Sequence, residues 1–181
     1  MADTPMEPSG HQGRLFGENP AESDHNLGFR GPAVCKVVGI TYRQLDYWAR
    51  TGLVEPSIRH AKGSGSQRLY SFRDVLVLKI VKRLLDSGVG LQQIRKAVDT
   101  LSKRGIDSLS QITILSDGAS VYECTSSDEV IDLLQGGQGV FGIAVGRVYR
   151  EVEENLVRLQ PEEAGVVDEL AQRRAQRMQA S

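Results

Sequence analysis

The chain has 181 residues, 40% of them hydrophobic, enough for a globular core in one large domain or two small ones. No apolar run approaches the length of a membrane span, and the first residues lack a basic region followed by an apolar core. A soluble, non-exported protein of the cytoplasm is therefore expected. The net charge of -1 hides a division: residues 30–105 hold fifteen Lys and Arg against five Asp and Glu, and the remainder holds seven against eighteen. A basic module between acidic segments suits a polyanion, of which nucleic acid is the most abundant in a cytosol, although charge alone fits a solvated cationic surface equally well.

Residues 1–26 are rich in Pro, Gly, Ser, Asp and Glu without apolar period, which predicts a disordered tail. Leu27 and Phe29 begin to look like packing residues, and Pro32 suits the first turn of a helix, where its missing N–H costs nothing. The helix from Pro32 to Val38 offers Val34, Cys35 and Val37 and is broken by Gly39, the small residue and the glycine permitting two helices to approach and reverse. Cys35 reads as a small core residue. It and Cys124 lie far apart, with no CxxC and no His cluster, so neither a disulfide framework nor a metal site is suggested, and no cofactor is implied.

Thr41 to Arg50 is the stretch with the most chemistry. Thr41 is placed to cap a helix, and the next nine positions hold neither Gly nor Pro. Tyr42, Arg43 and Gln44 project from the first turn, while Leu45 and Trp48, three apart, give the other face something to bury. Anchored at its back and rich in donors at its front, this reads as the groove-entering helix of a helix-turn-helix. Gly52 ends it, and Leu53 and Val54 return to the core. Two extended pieces follow, Ser57–His60 and Gln67–Tyr70, joined by Ala61–Ser66 with its glycines and serines. They predict a basic hairpin carrying Arg59, Lys62 and Arg68, with Tyr70 as an uncharged donor.

Ser71 caps the next predicted helix, with Val77, Ile80, Val81, Leu84 and Leu85 at helical spacing. After Gly88 a further helix carries Leu91, Ile94, Val98 and Leu101. Composition then changes at Gly105. Ile112–Leu115 and Ser120–Cys124 flank an Asp117-Gly118 turn and predict a β-hairpin; a short helix follows from Ser127, then a strand around Val140–Ile143. From Val145 to Leu159, the residues Val145, Val148, Tyr149, Val152 and Leu156 form a helical stripe that packs either on the small sheet or on its copy in a second chain. Residues 161–181 are weakly apolar and predict a flexible tail. The resulting organisation is a mainly α chain with four parts: a tail (1–26), a winged helix-turn-helix of four helices plus a β-hairpin wing (27–104), a small α+β dimerisation or effector domain (105–160), and a second tail (161–181).

Gly31 to Leu101 resembles the N-terminal domain of MerR-type bacterial transcription regulators. The resemblance rests on the Gly39-Ile40 turn, Thr41-x-x-Gln44-Leu45-x-Tyr47-Trp48, Thr51-Gly52-Leu53-Val54-x-Pro56, Arg68-Leu69-Tyr70-Ser71 and Leu85-x-x-Gly88-x-x-Leu91-x-x-Ile94. It covers about two fifths of the chain. It implies a homodimer on partly palindromic double-stranded promoter DNA, with one recognition helix per half-site, a hairpin wing on the backbone, and bending or untwisting of the promoter for RNA polymerase. Two departures stand out. Asp46 replaces the family's usual Arg, costing a phosphate contact or gaining an ion pair with Arg43 or Arg50. The long dimerisation helix expected after the domain is interrupted by Ser102–Gly105, which moves dimerisation to the C-terminal region. The family's metal-sensing cysteines are also absent.

The candidate DNA-binding residues are Thr41, Tyr42, Arg43, Gln44, Tyr47, Arg50, Arg59, Lys62, Arg68 and Tyr70. Arg43 is the first candidate for a base edge, since a guanidinium bonds bidentately to guanine; Gln44 or Tyr42 would read a neighbouring base. Arg50, Arg59, Lys62 and Arg68 suit phosphates. Trp48 belongs to the core, and His60 to the surface. The candidate dimerisation residues are Val145, Val148, Tyr149, Val152 and Leu156. No catalytic constellation is present. A ligand-responsive regulator whose region 106–160 sets DNA affinity, and an architectural or excisionase-like DNA-binding protein, remain open alternatives. The acidic second region also allows docking of a protein partner such as RNA polymerase.

Overall fold

Local chemistry starts two of the helices. Thr41 and Ser71 each accept a hydrogen bond from the backbone N–H three residues on, while the side chains of Gln44 and Asp74 reach back to the cap N–H, satisfying donors that a helix N-terminus leaves unpaired. The computed structural model describes residues 27–60, 67–135, 141–159 and 161–163. The expected N-terminal tail, the 61–66 loop with Lys62, and the tail from 164 onward lie outside the described residues.

The order of elements is β1 (Leu27–Arg30), α1 (Gly31–Val38), α2 (Tyr42–Arg50), β2 (Leu69–Tyr70), α3 (Phe72–Asp86), α4 (Leu91–Ser102), α5 (Ile106–Ser110), β3 (Thr113–Ser116), β4 (Val121–Cys124), α6 (Ser127–Gln135), β5 (Phe141–Ala144), α7 (Val145–Val157) and β6 (Glu162–Glu163). Gly39 closes α1 with φ of 80°, a conformation that carries little penalty only without a Cβ, and its N–H donates to the Cys35 carbonyl. The chain thereby reverses into α2.

Two small antiparallel sheets accompany the helices. β1 lies between β2 and β6, and β3 lies between β4 and β5. Neither β1 nor α5 was expected, because four residues and five carry too little period to announce an element. β6 departs from the expected flexible tail: its backbone pairs with Leu27 and Gly28. The Asp117-Gly118 turn forms as the sequence predicts, with Gly118 at φ of 88° and Asp117 Oδ1 accepting from the N–H groups of Ala119 and Ser120.

One hydrophobic cluster runs from Phe29 in β1 to Leu156 in α7, with the fully buried face of α3 (Val75, Leu76, Leu78, Ile80, Val81) at its centre. α3 packs against α1, α4 and α7. Val145, Val148, Val152 and Leu156 are buried at 1% exposure or less inside this core, and Tyr149 is partly buried with its ring edge against Phe72 at 5.0 Å. These residues were expected to hold a dimer together. Within one chain the side chains of Val145, Val148, Val152 and Leu156 are already removed from water, and that of Tyr149 is partly covered. α7 also approaches α5 closely: a Cβ at Gly146 would lie 2.5 Å from the Ser110 carbonyl oxygen. Glu151 strengthens the union by pairing with Lys79 at 3.0 Å and with Arg83, both on α3.

Candidate nucleic-acid interface

α2 buries Leu45 and Trp48 at 1% and 4% exposure, which fixes the helix by its back and turns the other side to solvent. Tyr42 is 62% exposed and Tyr47 48% exposed, unusual for aromatic side chains on a helix this well anchored. Arg43 is exposed beside them, and its guanidinium has no hydrogen-bond or ion-pair partner among the described residues. Gln44 is differently placed. Its Oε1 accepts from the Thr41 N–H at 2.9 Å, so capping occupies its acceptor and leaves its amide donors for any second role. Thr41 is likewise engaged as the cap, its Oγ1 accepting from the Gln44 N–H at 3.2 Å.

Asp46 sits in the middle of α2 and binds two arginines. Arg68 Nη1 donates to one carboxylate oxygen at 2.7 Å and Arg50 Nε to the other at 2.9 Å. The expected local pair with Arg50 thus forms, and a second, long-range one joins it. The hydrogen bond from Arg68 is the chief cause that holds the Asp46 carboxyl below its ordinary range, and the same bond raises the Arg68 guanidinium. Arg68 is only 20% exposed, whereas Arg50 is 67% exposed. Arg59 donates from Nε to the Gln67 carbonyl at 3.1 Å. It also exchanges both backbone hydrogen bonds with Leu69, the one bridge joining the two hairpin arms among the described residues. His60 is exposed, as expected.

Tyr70 does not fit a DNA contact. It is fully buried in the core, and its hydroxyl has no hydrogen-bond partner among the described residues. Burial pushes its ionisation up to about 12. The residue belongs to β2, both of whose residues are buried, and pairs with Phe29 of β1.

The basic surplus of residues 30–105 is also partly internal. Arg73 Nη2 donates to the carbonyls of Leu101 and Ser102 at 2.9 and 2.7 Å, at the end of α4. Lys79 donates to the Val37 carbonyl at the end of α1, and Arg95 to the Thr51 carbonyl just beyond α2. Cations at helix C-termini satisfy unpaired carbonyls and complement the helix dipole. By composition alone these three count toward a polyanion surface. Their partners lie 28 to 44 residues away in sequence, so no local signal separates them from free charges. Lys36, Arg43, Lys96 and Lys103 are exposed cations whose side chains have no partner among the described residues, and Arg43 alone of these lies on α2.

The two thiols are set apart from this chemistry. Burial raises both, with Cys35 packed against the core from α1 and Cys124 buried in β4. Neither is poised as a thiolate.

Comparison with known proteins matches residues 29–101 to the profile of the MerR HTH family regulatory protein. Helix-turn-helix-type transcriptional regulators of Mycobacterium tuberculosis and Mycobacterium bovis are 60% identical over 161 residues, spanning 85% of this chain and 72% of theirs. The transcriptional regulator HmrR of Sinorhizobium medicae is 33% identical over 61 residues, 34% of this chain and 40% of that protein. With a capped and anchored α2 inside the matched span, and likeness to the mycobacterial regulators along most of the chain, the protein belongs to the MerR family of helix-turn-helix transcriptional regulators.

Proposed function

We propose that the chain binds promoter DNA in a sequence-specific manner as a homodimer, at the bacterial chromosome in the cytoplasm, and regulates transcription there. The observation that carries this reading is α2: its apolar back is locked into the core while Arg43, Tyr42 and Tyr47 stand in solvent at its front. Arg43 reads a base edge, where a bidentate guanidinium pair discriminates by about 1–3 kcal/mol. Tyr42, Tyr47 and the donors of Gln44 border that contact, and Arg59 and Lys62 reach phosphates from the hairpin. Arg50 and Arg68 face the same polyanion already paired with Asp46.

One short helix specifies few base pairs, so a second copy is needed to build useful selectivity. With the stripe of α7 consumed by the core, the contact falls to groups the fold leaves in solvent. Ile131, Leu134, Phe141 and Val157 of the second region are exposed apolar candidates. Selection of duplexes from a random pool, followed by footprinting, tests this reading. Enrichment of two half-sites at a fixed spacing near one helical turn or a multiple is expected. Recovery of no preferred sequence, with protection spreading as an extended array, would instead favour an architectural role.

A further inference from the structure

Asp46 places a negative charge on the helix proposed to face DNA, and both of its oxygens hold arginines that would otherwise suit phosphates. The arrangement crosses elements: Asp46 and Arg50 are one turn apart on α2, whereas Arg68 comes from the second hairpin arm, twenty-two residues on. Arg68 is largely buried against this partner, and Arg43 has no part in the cluster. The acid therefore acts on the phosphate-seeking cations and leaves the base-reading one alone.

Phosphate contacts strengthen binding to every sequence, and specificity is a difference of affinities between sequences. A carboxylate that occupies Arg50 and Arg68 and repels the backbone weakens binding to random DNA, while the discrimination supplied by Arg43 is retained. We propose that Asp46 is a specificity-setting residue, which withholds Arg50 and Arg68 from phosphates and so keeps the affinity for non-cognate DNA low. This rests on the reading of α2 as a DNA-facing helix.

The test uses the full chain and a fluorescent random-sequence duplex, titrated across a salt series, for the wild type, Asp46→Ala, Asp46→Asn and Asp46→Glu. Asp46→Ala is expected to bind about three- to tenfold more tightly, with the logarithmic salt slope steeper by about 1–2, since each added phosphate contact contributes about 0.9. Asp46→Asn should move the same way by less, because the amide still accepts a hydrogen bond, and Asp46→Glu should stay near the wild type. Arg68→Gln should weaken binding more in the Asp46→Ala background than in the wild type, a coupling that a double-mutant cycle reads directly. Thermal melting of each variant confirms that the folded chain is compared. Unchanged or weaker binding of folded Asp46→Ala to random DNA overturns the proposal, as does an equal effect of Arg68→Gln in both backgrounds. A wild type that binds no duplex at any salt overturns the DNA-binding reading itself, whereas a wild type that binds beside an inert Asp46→Ala overturns only the role of Asp46.

Discussion

Residues 27–104 and residues 105–163 are held together by different means. In the first region α2 and α3 begin on side-chain caps and α1 ends on Gly39, while cations from distant positions meet carbonyls at helix ends: Arg73 at the end of α4, Lys79 at the end of α1 and Arg95 just beyond α2. In the second region β3 gathers β4 and β5 around it, while α7 lies against β3 and β5 and also covers α3. The change in composition at Gly105 has no counterpart in the packing, since a single apolar cluster crosses it. The second region completes the core on which the candidate recognition helix stands.

Breaking that dependence should give the largest effect. Val148→Asp would bury a carboxylate without a partner in the shared core, and a loss of more than about 4 kcal/mol is expected in urea unfolding of the full chain. Helical signal from the first region should be lost in the same transition. If the stripe instead served only a contact between chains, the variant would melt like the wild type at low protein concentration.

Structural and DNA-directed cations should separate next. Arg95→Ala removes the donor to the Thr51 carbonyl and should lower stability by about 1 kcal/mol, read as a fall in Tm, without changing the salt slope of DNA binding. Lys62→Ala is the counterpart: affinity for all duplexes should fall alike, with Tm unchanged. A flatter salt slope for Arg95→Ala would return that residue to the DNA surface.

Tyr70→Phe sharpens the distinction between core and interface. Its hydroxyl is buried without a partner among the described residues, so deleting it should leave stability unchanged or raise it by up to about 1 kcal/mol, with DNA affinity unaltered. A clear loss of affinity with normal Tm would restore Tyr70 to the DNA-binding set.

The smallest effect concerns acid. The Asp46 carboxyl is held below its ordinary range in the folded chain, so its contribution is present above the unfolded value of about 3.9 and is lost as pH falls through the folded one. Melting curves of the wild type and Asp46→Asn should therefore differ near neutrality and converge in acid. A difference that persists once the carboxyl is protonated would mean that shape, and not charge, carries the tie between α2 and the hairpin.

What was legible in the sequence follows from the range of the interactions. Thr41 and Ser71 announce their helices because cap and partner lie three residues apart, and Gly39 and Asp117-Gly118 announce reversals through backbone geometry. Leu45 and Trp48 could be assigned inward from helical spacing alone. The fate of Arg68 was not legible, because its partner Asp46 lies across a loop and a positive charge in a hairpin reads as free. Tyr70 failed for a related reason: a two-residue strand has no period to show which face is buried, and the strand that orients it, β1, was itself too short to predict. The stripe on α7 was recognised as apolar, but periodicity does not say whether its cover comes from the same chain or another.

On the reading proposed above, α2 presents Arg43 to a base while the rest of the fold holds that helix still. The most direct test is the ratio of affinities for a selected duplex and a random one, measured at one fixed salt concentration for the wild type and Arg43→Ala. The variant is expected to lose about 1–3 kcal/mol on the selected duplex and much less on the random one, so that the ratio collapses toward unity. An equal loss on both duplexes would contradict it, reducing Arg43 to one more phosphate contact.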